Sequence, residues 1–204
     1  MVWPDFGNFS DSDMLVWHIP MQSGAVPVLD AEGVSPPGAW VEALHAVSRD
    51  IRCLQYGSRF DSGDFVWELS IDVSYTVGLG WLRPGGSDYW VKREGISMDA
   101  SFAVAAVWAA GAAQGQLVIG REVVQWPSKG WNLLTAQLVD ELPVWIDASD
   151  GSVISNIGML CEAGTNWYLS TQANCRLSKT GETRETCQPY YSAEYTLNTV
   201  ASRL

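Results

Sequence analysis

Only two histidines, His18 and His45, could serve as general bases in this chain of 204 residues. A hydrolase with a histidine base also needs a nucleophile, often held in a Gly-x-Ser-x-Gly turn, and the sequence contains no such turn. His18 lies in a Trp-His-Ile-Pro segment and His45 follows Leu44. A single histidine beside apolar residues usually has a structural role, so the sequence predicts no histidine-based catalysis.

Carboxylates lie close together at three places, where a pair could act as the acid and base of a glycosidase. Turn composition surrounds two of these pairs, and the third falls on the polar face of a predicted strand, where it would be solvated. We therefore interpret all three as turn or surface residues and predict that the protein is not an enzyme. The pairs are Asp61 with Asp64, Glu68 with Asp72, and Asp147 with Asp150.

No motif of the chain indicates a metal site or a cofactor site. Asp147, Ser149 and Gly151 match half of a calcium-binding loop, but Gly158 stands where the bidentate glutamate should follow. The glycine-rich segment 78–86 lacks the Lys-Ser/Thr pair of a phosphate-binding loop. The sequence therefore predicts neither a bound metal nor a cofactor.

The charge distribution argues against direct nucleic-acid binding. The net charge is −11, and the first 48 residues contain six acids but no lysine or arginine. Phosphate recognition needs clustered cations, whereas Lys92 and Arg93 form the only adjacent basic pair. An acidic, solvated surface is the simpler interpretation.

The four cysteines leave their oxidation state open. The N-terminus lacks the basic start and apolar run of a secretory signal, so we expect a cytoplasmic protein with reduced, buried thiols. Cys161 and Cys175 fall on neighbouring predicted strands and could form a disulfide in an oxidising compartment. The cysteines are Cys53, Cys161, Cys175 and Cys187.

Residues 64–77 alternate apolar and polar side chains, which predicts one long β-strand with a single buried face. On this assignment Leu69→Asp should unfold the protein, whereas Ser70→Asp should be tolerated. The predicted core positions are Trp67, Leu69, Ile71, Val73 and Tyr75.

The remaining pattern predicts an all-β antiparallel sandwich of the jelly-roll type with one short α-helix at 39–54. The uncharged segment 100–120 alternates like a buried strand followed by a Gly/Ala turn, which we favour, although a short alanine-rich helix fits its first half as well; we predict no membrane span there. Residues 1–38 are predicted to be an extended N-terminal arm, in which residues 14–19 could pair as one short strand, and residues 39–204 a single sandwich domain. Further strands are predicted at 117–126, 131–140, 142–147, 152–161, 166–177 and 190–200.

The run Trp-Glu-Leu-Ser-Ile-Asp-Val-Ser-Tyr-Thr at 67–76, followed by Gly-Gly-Ser-Asp-Tyr-Trp-Val at 85–91, resembles paired strands of jelly-roll coat proteins from small icosahedral viruses. The resemblance implies a capsid or virion-surface protein, located in the virion, that forms homo-oligomers or binds other shell proteins. Such coat proteins commonly begin with a basic arm that contacts RNA, whereas this N-terminus is acidic. A protruding or decorating shell protein fits that charge better.

The eleven tryptophans exceed the needs of one core, so we predict that some of them contact a partner. One hypothesis is self-assembly, in which the apolar arm docks on an adjacent subunit and deletion of residues 1–17 leaves a folded monomer. The alternative is a carbohydrate-binding module, because sugars stack on exposed Trp and Tyr side chains. The predicted surface residues are Trp3, Trp17, Trp81, Tyr89, Trp90, Trp126, Trp131 and Trp167.

Overall fold

The structure is a computed structural model that describes residues 14–22, 28–29, 34–57, 60–83, 89–119 and 124–163. All of these residues lie in the first of two compact units, which comprises residues 1–166. The strands predicted at 166–177 and 190–200 lie outside the described residues, and the predicted domain boundaries stay predictions.

Within these ranges the protein is mostly β, with antiparallel sheets and two α-helices. A five-stranded sheet has the order β2-β1-β4-β5-β6, a four-stranded sheet has the order β11-β10-β9-β8, and β3 pairs with β7. The elements in chain order are β1 (Leu15–Pro20), β2 (Val28–Leu29), α1 (Gly38–Ile51), β3 (Tyr56–Gly57), β4 (Val66–Ile71), β5 (Thr76–Leu82), β6 (Tyr89–Ser97), α2 (Phe102–Ile119), β7 (Val124–Gln125), β8 (Ser128–Lys129), β9 (Asn132–Val139), β10 (Leu142–Asp147) and β11 (Val153–Asn156).

Strand β1 lies inside the five-stranded sheet, between β2 and β4. Its Trp17 lies opposite Leu69 of β4, and Trp17, Ile19 and Met21 are buried. The short strand that the sequence allowed within the arm therefore forms, and its alternate side chains lie in the core. Deletion of residues 1–17 would remove half of the strand, so a test of the predicted docking of the arm must stop at residue 13.

The predicted long strand at 64–77 is in fact a hairpin formed by β4 and β5. Asp72 turns the chain, because its Oδ1 accepts hydrogen bonds from the backbone N–H groups of Ser74 (2.8 Å) and Thr76 (3.0 Å). Trp67, Leu69 and Ile71 are buried as predicted, but Val73 and Tyr75 are 74% and 66% exposed at the turn. The prediction for those two side chains was wrong, because alternation alone cannot reveal a side chain that caps a turn.

Ser70 also departs from the predicted pattern, since it is buried in β4. Its strand is flanked on both sides, with Val16 of β1 and Gly78 of β5 directly opposite. We expected Ser70→Asp to be tolerated because Ser70 was predicted to be exposed. The burial of Ser70 removes that reason.

Helix α1 confirms the predicted helix and contacts both large sheets. Trp67 of β4 donates its indole N–H to Ser48 Oγ at 2.7 Å, and Trp145 of β10 donates to Asp50 Oδ2 at 2.7 Å. The one helix thereby bridges the five-stranded and four-stranded sheets.

Helix α2 occupies Phe102–Ile119, where the sequence favoured a strand and left a short alanine-rich helix open only for the first half of 100–120. The favoured strand and the start of the strand predicted at 117–126 were wrong. Alanine has the highest helix propensity of any residue, and the alternation of Phe102, Val104 and Trp108 was misleading in so alanine-rich a segment. The helix packs on α1, where the ring centroids of Trp40 and Trp108 are 5.6 Å apart. Among the described helices, none is long and apolar enough to cross a bilayer.

The four-stranded sheet confirms the strands predicted at 131–140 and 142–147. The strand predicted at 152–161 is shorter, because β11 ends at Asn156 and residues 160–163 form a helical turn. Leu134 and Trp145 are fully buried on the side of this sheet that faces the helices, where Gln114 of α2 donates to the Leu134 carbonyl at 2.6 Å.

Candidate functional site

Asp50, at the end of α1, is the most enclosed ionisable residue for which a shifted pKa is resolved. Its Oδ2 accepts hydrogen bonds from Trp145 Nε1 (2.7 Å) and Gly158 N (2.6 Å), and its Oδ1 accepts one from Leu160 N (2.9 Å). Burial raises the pKa of this carboxyl group, while the hydrogen bonds and the nearby Arg49 oppose the increase. Because its donors come from the protein itself, we interpret Asp50 as a structural clamp.

A disulfide closes the same region. Cys53, just after α1, is bonded to Cys161, which lies 108 positions later in the sequence, and their Cα atoms are 5.2 Å apart. This pairing corrects both the expectation of reduced thiols at these positions and the alternative bond between Cys161 and Cys175. Cys175 and Cys187 lie outside the described residues.

The two histidines occupy different settings. His18 of β1 lies opposite Glu68 of β4, with 3.6 Å between His18 Nε2 and Glu68 Oε2. His45 lies on α1, where burial and then the charge of Arg49 lower its pKa. Histidines with a structural role are found in both kinds of setting, so neither setting by itself indicates catalysis.

The carboxylates of the remaining predicted pairs cap turns. Asp61 Oδ1 accepts from Gly63 N at 3.0 Å, and Asp150 Oδ1 accepts from Ser152 N at 2.9 Å. Hydrogen bonds from Ser149 hold the pKa of Asp147 below its usual value, and those from Ser152 do the same for Asp150. These carboxylates therefore fit the turn role that the sequence suggested.

No group of three or more His, Cys, Asp or Glu side chains in the described part of the chain is placed to hold a metal ion. Two depressions, of 280 and 240 Å³, share Arg52 as a lining residue, and both are open to solvent. Neither depression encloses a reaction site. The other candidate sites lie on the exposed surface.

Most of the predicted surface tryptophans whose side chains are described are buried. Trp17, Trp81 and Trp126 lie in the core, where Trp17 Nε1 donates to the Val34 carbonyl (2.7 Å) and Trp126 Nε1 to the Asp50 carbonyl (2.9 Å). Hydrogen bonds from the indole N–H groups offset the cost of burying these rings. The number of tryptophans alone therefore does not show how many of them are exposed. Trp131, in contrast, is 78% exposed.

The other predicted surface residues have no described side chains. Tyr89 and Trp90 lie in β6, where their backbones pair with Leu82 and Trp81 of β5. Trp3 and Trp167 lie outside the described residues, so their predicted role stays a prediction.

An uncharged face of the four-stranded sheet was missed by the sequence analysis. Leu133, Leu142 and Val153 are 39%, 54% and 53% exposed, and the strand register places them on the side of the sheet opposite Leu134 and Trp145. We call this side the outer face. Its residues are Leu133, Thr135, Gln137 and Val139 of β9, Leu142, Val144 and Ile146 of β10, and Val153 and Asn156 of β11. Val144 and Ile146 are buried, so the exposed part of the face lies around them.

The outer face contains no charged residue, although the chain has a net charge of −11. The acids of this region lie at its ends, with Asp140 and Glu141 in the turn between β9 and β10 and Asp150 in the turn after β10. An alternating pattern in β9 could have revealed the exposed Leu133, but β10 is apolar at almost every position and shows no alternation.

Trp131 lies next to this sheet, in the turn between β8 and β9. Its ring packs against Tyr56 of β3 with 4.9 Å between the ring centroids. Beside it, Asn132 Nδ2 is 3.5 Å from Ser149 Oγ, and Lys129 Nζ is 3.7 Å from Asp147 Oδ2. The region combines an exposed aromatic ring with fixed polar groups.

No family model matches the chain, and neither the curated proteins nor the solved structures give a match. The two exposed features, the outer face and the Trp131 turn, are therefore the basis for assigning a function.

Proposed function

We propose that the protein is a non-enzymatic structural protein that self-assembles, and that two copies meet through their outer faces. The observation that carries the proposal is that this face exposes Leu133, Leu142 and Val153 and contains no charged residue in a strongly acidic chain. Water-exposed leucine and valine side chains gain about 25 cal/mol per Å² of apolar surface when a partner covers them.

Charge favours a second copy as the partner at this face. Two copies that each have a net charge of −11 repel one another over most approaches. The outer face offers an approach on which no like charges meet, and the acids at its ends remain at the solvated rim. A two-fold arrangement would pair the same residues from both copies, as closed homodimers usually do.

A viral shell component, either a capsid protein or a protruding or decorating one, is the narrower form of the proposal. Its support is the resemblance of residues 67–91, a segment that contributes to the adjacent antiparallel strands β4, β5 and β6. The jelly-roll form has less support, because α1 makes hydrogen bonds to both large sheets through Ser48 and Asp50.

The test is the molar mass in solution of the wild type and of two matched valine variants. Val153→Asp places a charge on the outer face, while Val73→Asp makes the same change at a turn residue of the other large sheet, where the side chain is 74% exposed. We expect the wild type to form a defined oligomer at micromolar concentration, Val153→Asp to be monomeric, and Val73→Asp to assemble normally. Light scattering coupled to size exclusion measures all three.

Circular dichroism and the melting temperature should be the same for both variants, because both valines are exposed. A monomeric wild type, or equal assembly of the two variants, would contradict the proposed use of the outer face.

A further inference from the structure

The exposed Trp131, packed against the half-buried Tyr56, lies at one end of the four-stranded sheet and is not needed for the proposed assembly. From the aromatic ring and the polar groups beside it, we propose that this turn binds a neutral sugar ring of an oligosaccharide. This activity is separate from contact between copies through the outer face.

The aromatic part of the site is held in place before any ligand binds. Trp131 follows Gly130, whose φ of +63° suits glycine, in the tight turn that joins β8 to β9. The Tyr56 ring supports the indole at a centroid distance of 4.9 Å, and the backbone of Tyr56 is fixed by pairing with Gln125. With 78% of Trp131 exposed, a large apolar ring surface is open to a ligand at little cost in side-chain entropy.

The polar part of the site lies on the neighbouring residues. Lys129 and Asn132 are paired across the β8–β9 turn, and both are exposed. Ser149 is also exposed and is within 3.5 Å of the Asn132 amide nitrogen. An ammonium, an amide and a hydroxyl group provide the donors and acceptors that ring hydroxyls require.

Asp147 positions these groups and does not contact the ligand itself. It is almost fully buried, accepts a hydrogen bond from Ser149 Oγ at 2.6 Å, and lies 3.7 Å from Lys129 Nζ. A buried carboxylate with two partners restricts the directions in which the Ser149 hydroxyl and the Lys129 ammonium can point. The site is therefore ordered on both its apolar and its polar side.

Charge selects the class of ligand. The Lys129 ammonium already faces the Asp147 carboxylate, and Asp150 lies close by in the same turn, so an anionic ligand would gain little and meet repulsion. A neutral pyranose has an apolar face for the indole and hydroxyl groups around its rim. A protein partner is disfavoured because a single aromatic residue bordered by polar groups offers only a small apolar contact.

The experiment screens the wild type against an array of neutral and sialylated glycans, followed by calorimetric titration of the best neutral oligosaccharide. Trp131→Ala should weaken its binding at least tenfold, Trp131→Phe should keep it within a few-fold, and Ser149→Ala should lose several-fold. The exposure of Trp131 predicts an unchanged melting temperature for both tryptophan variants. Absence of binding to any neutral glycan, binding of sialylated glycans alone, or wild-type affinity in Trp131→Ala would overturn the proposal.

Assembly measured on the same variants separates this site from the outer face. We expect Trp131→Ala to keep the oligomeric state of the wild type, and Val153→Asp to keep its glycan affinity whether or not it assembles. If Trp131→Ala instead dissociates an oligomer, Trp131 belongs to a contact between copies and the sugar-binding assignment is wrong.

Discussion

The two faces of strands β9 and β10 both include apolar side chains, yet leucines at neighbouring positions on the two faces differ in how far the rest of the chain covers them. On the inner face, Leu134 and Trp145 are fully buried, and Trp145 also donates a hydrogen bond to Asp50. On the outer face, the neighbouring Leu133 and Leu142 remain 39% and 54% exposed. Apolar composition therefore does not distinguish a buried face from a solvent-exposed one. The distinguishing feature is whether another element of the same chain covers the side chains.

We expect the largest difference in stability between the two faces when one leucine on each face is replaced by aspartate. Leu134→Asp would bury an unpaired carboxylate, which costs several kcal/mol, a large part of a typical stability of about 5–15 kcal/mol, so we expect this variant to be unfolded. Leu133→Asp should change the free energy of unfolding by no more than about 0.5 kcal/mol, although it should weaken assembly. Urea unfolding followed by circular dichroism measures both, and equal stability of the two variants would show that the faces are assigned incorrectly.

Variants at Asp50 and Trp145 test how much the stability of the inner face depends on the Asp50 carboxylate. Asp50→Ala leaves the N–H groups of Trp145, Gly158 and Leu160 without their acceptor. Each buried donor left unsatisfied costs about 1–3 kcal/mol, so we expect a loss of about 3 kcal/mol or more. Trp145→Phe removes only one donor, so we expect the smaller loss of about 1.5–3 kcal/mol that is typical of a hydrogen bond to a charged group. Denaturant unfolding of both variants gives the order, and a smaller effect for Asp50→Ala than for Trp145→Phe would contradict the clamp.

The disulfide gives the inner side a covalent link, because it joins the segment after β11 to the end of α1. Among the described residues, the outer face has no such link. The double variant Cys53→Ser, Cys161→Ser should lose about 2–5 kcal/mol, the usual range for removal of a native disulfide from a small domain. The wild type in a reducing agent provides the control, since it should unfold at nearly the same urea concentration as the double variant. Equal stability of the oxidised wild type and the double variant would mean that the bond does not form in solution.

The sequence predicted the elements whose pattern is strictly local. Helix α1 and strands β9 and β10 were found because each has the length and the flanking turn residues of its type. Alanine fits a helix face as well as a strand face, so the spacing of apolar residues did not distinguish helix α2 from a strand. The β4–β5 turn was missed because it depends on one side chain, Asp72, which bonds to the backbone two and four residues later.

The candidate site was harder to predict than the fold, for two physical reasons. The partners of Asp50 lie 95 to 110 residues away along the chain, and no spacing rule connects positions so distant. The exposure of Trp131, and the burial of Trp17 and Trp126, depend on which indole N–H groups meet a carbonyl in the folded chain. The sequence predicted that some tryptophans contact a partner, but it could not say which side chains would be exposed.

The bond between Cys53 and Cys161 also changes what a broken chain would be. The two cysteines are 108 positions apart, so more than half of the polypeptide lies within a closed covalent loop. A protease that cuts any single peptide bond inside this loop produces two fragments that stay joined through sulfur. Such a nicked molecule would migrate as intact protein on a denaturing gel until a reducing agent separated its two pieces.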